Sequence, residues 1–144
     1  MESELFEARE TVSCKPQEAL QNSVIARLFR HYVDILAPWY DLNDSQNMFG
    51  TVVPIHALDN PVLFKALIAF SARHNNRVSG ESPGVGAIYH AECVRDLLVV
   101  MHDIKSELQA DYLAATCLLR SYEILNSIYH FIDTYSYMHD VDSI

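Results

Sequence analysis

Apolar residues recur at three- and four-residue intervals along most of the chain, the spacing of helices that each bury one face. The first row is Leu20, Val24, Leu28, Tyr32 and Ile35–Leu36. It predicts an amphipathic helix that closes before Pro38, because the residue preceding a proline disfavours helical geometry. A second segment runs through Met48, Val52 and Leu58. Asn43 or Asp44 can cap it, and Pro54 within it implies a kink or a late start. Asn60-Pro61 is the clearest helix start. Asn60 offers a capping oxygen, and Pro61 at the first helical position loses no needed hydrogen bond. Two adjacent apolar rows follow it: Val62, Ala66, Phe70 and Leu63, Leu67, His74.

Beyond a turn-rich stretch from Gly80 to Gly84, Ile88, Val94, Leu97–Leu98 and Met101 place a fourth helix ending near His102. Ser106 with Gln109 fits a capping box for a fifth. Its rows are Leu108, Tyr112, Ala115, Leu119, Tyr122 and Leu113, Thr116–Cys117, Ile124. An aromatic segment from Ser127, carrying Tyr129, Phe131, Tyr135 and Tyr137, follows as a sixth. No stretch alternates with period two between turn signals, so no sheet is predicted. The expected fold class is all-α, a stack of antiparallel helical hairpins with about five to six helices. The chain divides into a polar N-terminal segment (1–16), a helical body (17–126) and an aromatic-rich C-terminal segment (127–144).

Charge narrows the function classes. Lys and Arg total 10 against 19 acidic residues, a formal charge of −9, and the cations are scattered singly or in loose pairs. Such a chain is repelled by phosphate backbones, so no direct nucleic-acid contact is expected. The acidic start MESELFEARE is not a secretory signal, and no apolar run approaches membrane-spanning length. Three widely spaced cysteines, Cys14, Cys93 and Cys117, do not form a disulfide framework and fit an intracellular, reducing compartment. Asn43-Asp44-Ser45 matches a glycosylation acceptor, without a secretory route to use it.

Candidate chemistry is sparse. His90, Glu92 and Cys93 are close in sequence, but two-residue spacing on a helix turns side chains to different sides, and no HExxH pair exists. No metal or cofactor is expected. Cys93 and Cys117 sit on apolar helical stretches, where cysteine behaves as a small hydrophobe. Their pairing with His90 or His74 as a nucleophile and base has no local pattern behind it. Gly84-Val85-Gly86 follows no strand and lacks a Lys-Ser/Thr ending, so it reads as a helix-entry turn. The chain is not expected to be an enzyme. Pro38-Trp39-Tyr40-Asp41 is either a packing corner or part of an interaction surface or effector pocket.

The words LAPWYDL, FGTVVP, NPVLFKALIAFSARH, YHAEC and DYLAATCLLRSYE, in this order from roughly Val24 to Leu125, resemble the fungal-specific transcription factor domain. This is the helical regulatory region of fungal binuclear zinc-cluster regulators. The resemblance implies nuclear localisation and regulation of transcription by RNA polymerase II. Two zinc ions shared by six thiolates need closely spaced C-x₂-C-x₆-C pairs, which three scattered cysteines cannot supply. DNA contact would then fall to a protein partner, either a homo-oligomer or a full-length zinc-cluster relative, and a small-molecule effector is possible. The resemblance also suggests that Arg73, in the SARH word, pairs with Glu123 of the Tyr-Glu word or with Asp41, although Asp41 reads equally as a helix-flanking cap. Pro38, Trp39, Asp41, Pro61, Arg73, His74 and Glu123 are therefore the candidate positions. The alternative is a non-catalytic helical interaction or dimerisation module with no transcriptional role. Because the family pattern continues into further helices, the chain reads as a short product or a truncated fragment. Tyr129, Phe131 and Tyr135 would then cover the exposed face or recruit a second copy.

Overall fold

The computed structural model describes residues 2–42, 45–79, 84–103 and 109–142. Its elements are α1 (Glu2–Val12), α2 (Pro16–Ala19), α3 (Ser23–His31), a π-helical turn (Tyr32–Leu36), α4 (Ala37–Asp41), α5 (Met48–Ala57), α6 (Pro61–Ser79), α7 (Gly84–His102) and α8 (Ala110–Asp142). The fold is all-α, with no strand among the described residues.

The arrangement follows from α6. Every residue from Leu63 to Phe70 except Lys65 is buried, so this helix is apolar around its whole circumference and must lie at the centre. Asn60 starts it as the sequence predicts, its side-chain oxygen accepting from the Val62 and Leu63 amides at 3.1 and 3.3 Å. Around it pack α3 with the π-turn, α5, α7 and α8. The α6–α7 pair is antiparallel: Lys65 near the start of α6 meets Asp96 late in α7, and Gly86 near the start of α7 lies against Ala72 and Arg73. Lys65, which interrupts the apolar run, is thus nearly buried yet paired. Buried Ser71 donates its hydroxyl to the Leu28 carbonyl and ties α6 to α3.

Several elements differ from the sequence expectations. The N-terminal segment forms α1, which docks on α7 through Ala8 and Val12, with the Tyr89 hydroxyl 2.9 Å from Thr11 Oγ1. The first helix does not close before Pro38. The fifth and sixth segments are one helix, α8, because no Gly or Pro interrupts residues 110–142. At 1.5 Å per residue α8 is about 50 Å long. Of its two predicted apolar rows, Ala115, Leu119 and Tyr122 are buried, whereas Leu113, Cys117 and Ile124 face outward. The proposed caps Asn43 and Asp44, the Gly80–Pro83 part of the turn, and Ser106 lie outside the described residues.

Candidate functional site

The corner between α3 and α5 is set by the π-turn. The Ala37 amide reaches back five residues to the Tyr32 carbonyl, which widens one turn and lets a new helix begin. Pro38 then falls in the first turn of α4, where its missing N–H costs nothing. This is why the predicted stop does not occur. Tyr32 is fully buried and donates to the Phe49 carbonyl at 2.9 Å.

Asp41 is the cap of α5. Its two carboxylate oxygens accept from the Phe49 and Gly50 amides at 3.0 and 2.8 Å, replacing the capping side chain that Asn47 does not supply. Asn47 itself takes a left-handed conformation (φ 51°), which Asn tolerates better than most residues. A Cβ on Gly50 would come within 2.9 Å of Asp41 Oδ2, so a larger residue there would push the capping carboxylate aside.

Tyr40 stacks on Phe49, centroids 4.2 Å apart, and meets Phe70 edge-on. Its hydroxyl bonds to Ser121 and donates to the Cys117 carbonyl at 3.0 Å, which fastens α4 to α8. Burial raises its pKa. Trp39 is half exposed and lies edge-on to His74, centroids 5.0 Å apart. Trp39, Tyr40, Phe70, Ser121, Ile124 and Leu125 line a cleft of about 240 Å³. It has an aromatic wall and a floor whose polar groups are already bonded.

His74 Nδ1 lies 2.8 Å from His31 Nε2, and the two rings stack. Burial lowers the pKa of both, and for His31 the neighbouring His74 adds to the effect against a smaller opposing pull from Asp34. Each favours the neutral form in the folded state, so the unfolded chain binds more protons just below their ordinary pKa. Stability from this pair is complete above about pH 6.5 and is lost as pH falls through the lowered folded values. Melting temperature is expected to fall between about pH 7 and pH 5, and the fall to be shallower in His31→Gln/His74→Gln. Identical pH profiles for the two proteins would contradict it.

Arg73 does not make the expected ion pair. Neither Glu123 nor Asp41 is within salt-bridge distance among the described residues; Asp41 is occupied by the α5 cap, and exposed Glu123 approaches His90 at 3.4 Å. Instead the Arg73 guanidinium lies over the Tyr129 ring at 5.1 Å, as does that of Arg77, while Arg77 pairs with Asp133 at 2.7 Å. Arg73 Nε is buried without a hydrogen-bond partner. The structure therefore gathers Trp39, His74 and His31 in one ring cluster and sets Arg73 with Arg77 on Tyr129 in another, partners that sequence reasoning did not single out. Pro61 stands at the far end of α6, and Asp41 and Glu123 serve other contacts.

Among the described residues of this corner, no nucleophile is seen beside an activating base. Cys93 is buried, donates to the Val62 carbonyl, and has its thiol pKa pushed up to about 12, by burial first and by Asp96 second. Thiol probes at neutral pH are expected to label exposed Cys117 quickly and to leave Cys93 untouched until the chain unfolds. Rapid labelling of native Cys93 would contradict its burial. Among the described residues no three His, Cys, Asp or Glu side chains gather to hold a metal, and no helix is long and apolar enough to cross a membrane.

The family profile described as the fungal specific transcription factor domain matches residues 27–135 of the 144. The chain belongs to this family. No curated protein and no solved structure matches the chain. The matched span of the fungal-specific transcription factor domain begins within α3 and carries the Trp39 corner, all of α6 and α7 and most of α8, leaving α1 outside it. It reaches further along α8 than the sequence words do, into the exposed aromatic stretch.

Proposed function

We propose that this chain is a regulatory module for transcription by RNA polymerase II, acting in the nucleus through protein association. It is not a catalyst, and it does not contact DNA on its own. The observation that carries the reading is family membership over residues 27–135. Two sequence facts shape it. These residues hold no closely spaced cysteine pairs for a zinc cluster, and a charge of −9 disfavours approach to a phosphate backbone. A protein that carries the DNA-reading element supplies that contact.

The whole chain fused to a bacterial sequence-specific DNA-binding domain tests the idea at a reporter promoter bearing the cognate sites. Transcript is expected to change several-fold, up or down, relative to the DNA-binding domain alone. A folded, promoter-bound fusion that leaves the reporter unchanged in both activation and repression formats would overturn the reading. It would favour the alternative of a helical interaction module with no transcriptional role.

A further inference from the structure

The C-terminal half of α8 leaves an apolar row uncovered. Ile124, Ile128, Phe131, Tyr135 and Met138 follow at steps of four, three, four and three, and all are exposed, Phe131 by 69% and Met138 by 63%. With 3.6 residues per turn, this row lies opposite Tyr122, Tyr129 and Asp133, which face the body through His90, Arg73 and Arg77. Steps averaging 3.5 residues are those of a coiled-coil seam, narrower than the stripe of a helix lying on a globular core. From Phe131 to Asp140 every side chain is exposed, although Asp133 still reaches Arg77 on α6. Short helices without packing are marginal in water.

We propose that this row is the contact face between two copies of the chain, paired antiparallel about a two-fold axis at Phe131. In that register Phe131 meets its own counterpart, Ile128 meets Tyr135, and Ile124 meets Met138, so every apolar position faces another. The row is thus complementary to itself, as an isologous interface requires. The positions flanking it between Ile124 and Met138, Leu125, Ser127, Ile132 and Thr134, carry no charge, and Arg120 and His139 border its two ends. Antiparallel pairing sets the two acidic bodies at opposite ends of the helix pair and opposes the two helix dipoles. The exposed parts of these five side chains and Ile132 amount to roughly 700 Å², close to the ~800 Å² per partner of a stable interface. Ile124 also walls the Trp39 cleft, so Met138 of the second copy arrives at its mouth.

This inference rests on the association reading above and adds to it a partner and a register. Sedimentation equilibrium of the full chain is expected to give a dimer. Phe131→Arg places like charges face to face on the axis and is expected to weaken dimerisation at least ~100-fold with helical circular dichroism unchanged. In a Cys14→Ser/Cys117→Ser background, Phe131→Cys is expected to cross-link to itself on oxidation. Ile124→Cys is expected to cross-link only when mixed with Met138→Cys. A monomer at all attainable concentrations, a folded Phe131→Arg dimer of unchanged affinity, or Ile124→Cys linking to itself would each overturn the proposal. A monomer that still alters the reporter would remove the pairing and leave the transcriptional reading standing; a dimer without reporter effect would do the reverse.

Discussion

Phe70→Ala is expected to lower stability by about 3–5 kcal/mol, among the largest effects of any single truncation in this chain. Phe70 is 2% exposed at the middle of the central helix, and it supports Tyr40 edge-on from below. Removing the ring subtracts its transfer free energy and leaves a void that opens into the Trp39 cleft. The neighbouring Tyr40 cannot collapse into that void without giving up its hydrogen bonds to Ser121 and Cys117 on α8. Since domains of this size are stable by only ~5–15 kcal/mol, the variant should sit near the edge of folding. Thermal unfolding is the measurement, with a drop of about 10–15 °C expected. A drop of under about 3 °C would mean that the corner repacks freely and that Phe70 is not its floor.

Gly86→Leu is expected to cost about 3 kcal/mol, for the opposite reason. A Cβ at Gly86 would already lie 3.4 Å from the Ala69 carbonyl oxygen, the Ala72 Cβ and the Arg73 amide nitrogen. Two of these three are backbone atoms of α6, which cannot turn aside as a flexible side chain can. Ala at the same site adds only the Cβ, and the helix propensity gained by replacing glycine, up to ~1 kcal/mol, offsets the crowding. Gly86→Ala should therefore be near neutral while Gly86→Leu drives α7 away from α6 and exposes Cys93 to thiol probes. Comparing the two by chemical denaturation separates close approach from glycine flexibility. Equal stability of Gly86→Leu and the parent would show that the α6–α7 contact is loose.

Helical periodicity made the fold class readable, and Asn60-Pro61 marked the start of the central helix because capping is a local event. Elements that depend on distant contacts were not readable in the same way. The passage through Pro38 needs a π-turn whose Tyr32 is anchored on Phe49, and no local pattern announces it. Among the described side chains of helix α1, Ala8 and Val12 are buried, both small and amid an acidic segment, so its apolar signal is faint. The continuity of α8 was missed although no Gly or Pro interrupts it, and so was the change from buried to exposed apolar rows. Periodicity reports that residues share a face and is silent on what covers it. Arg73 was expected to pair with a carboxylate, but its neighbour is the Tyr129 ring face, which sequence spacing between charges cannot reveal. Asp41 was left open between a cap and an Arg73 partner, because the amides it caps lie eight and nine residues further along the chain.

The widened turn at Tyr32–Leu36 has a consequence for how this corner tolerates insertion and deletion. It acts as a phase shifter, since a π-turn carries one residue more than the α-helical turn it replaces. Losing that residue would rotate everything after it by about 100° and swing the indole away from the imidazole it touches. It would also strand Pro38 in a helix interior and pull the carboxylate of Asp41 off the start of α5. Side-chain identity in this stretch can drift so long as Tyr32 and Leu36 fill the core, but its length cannot.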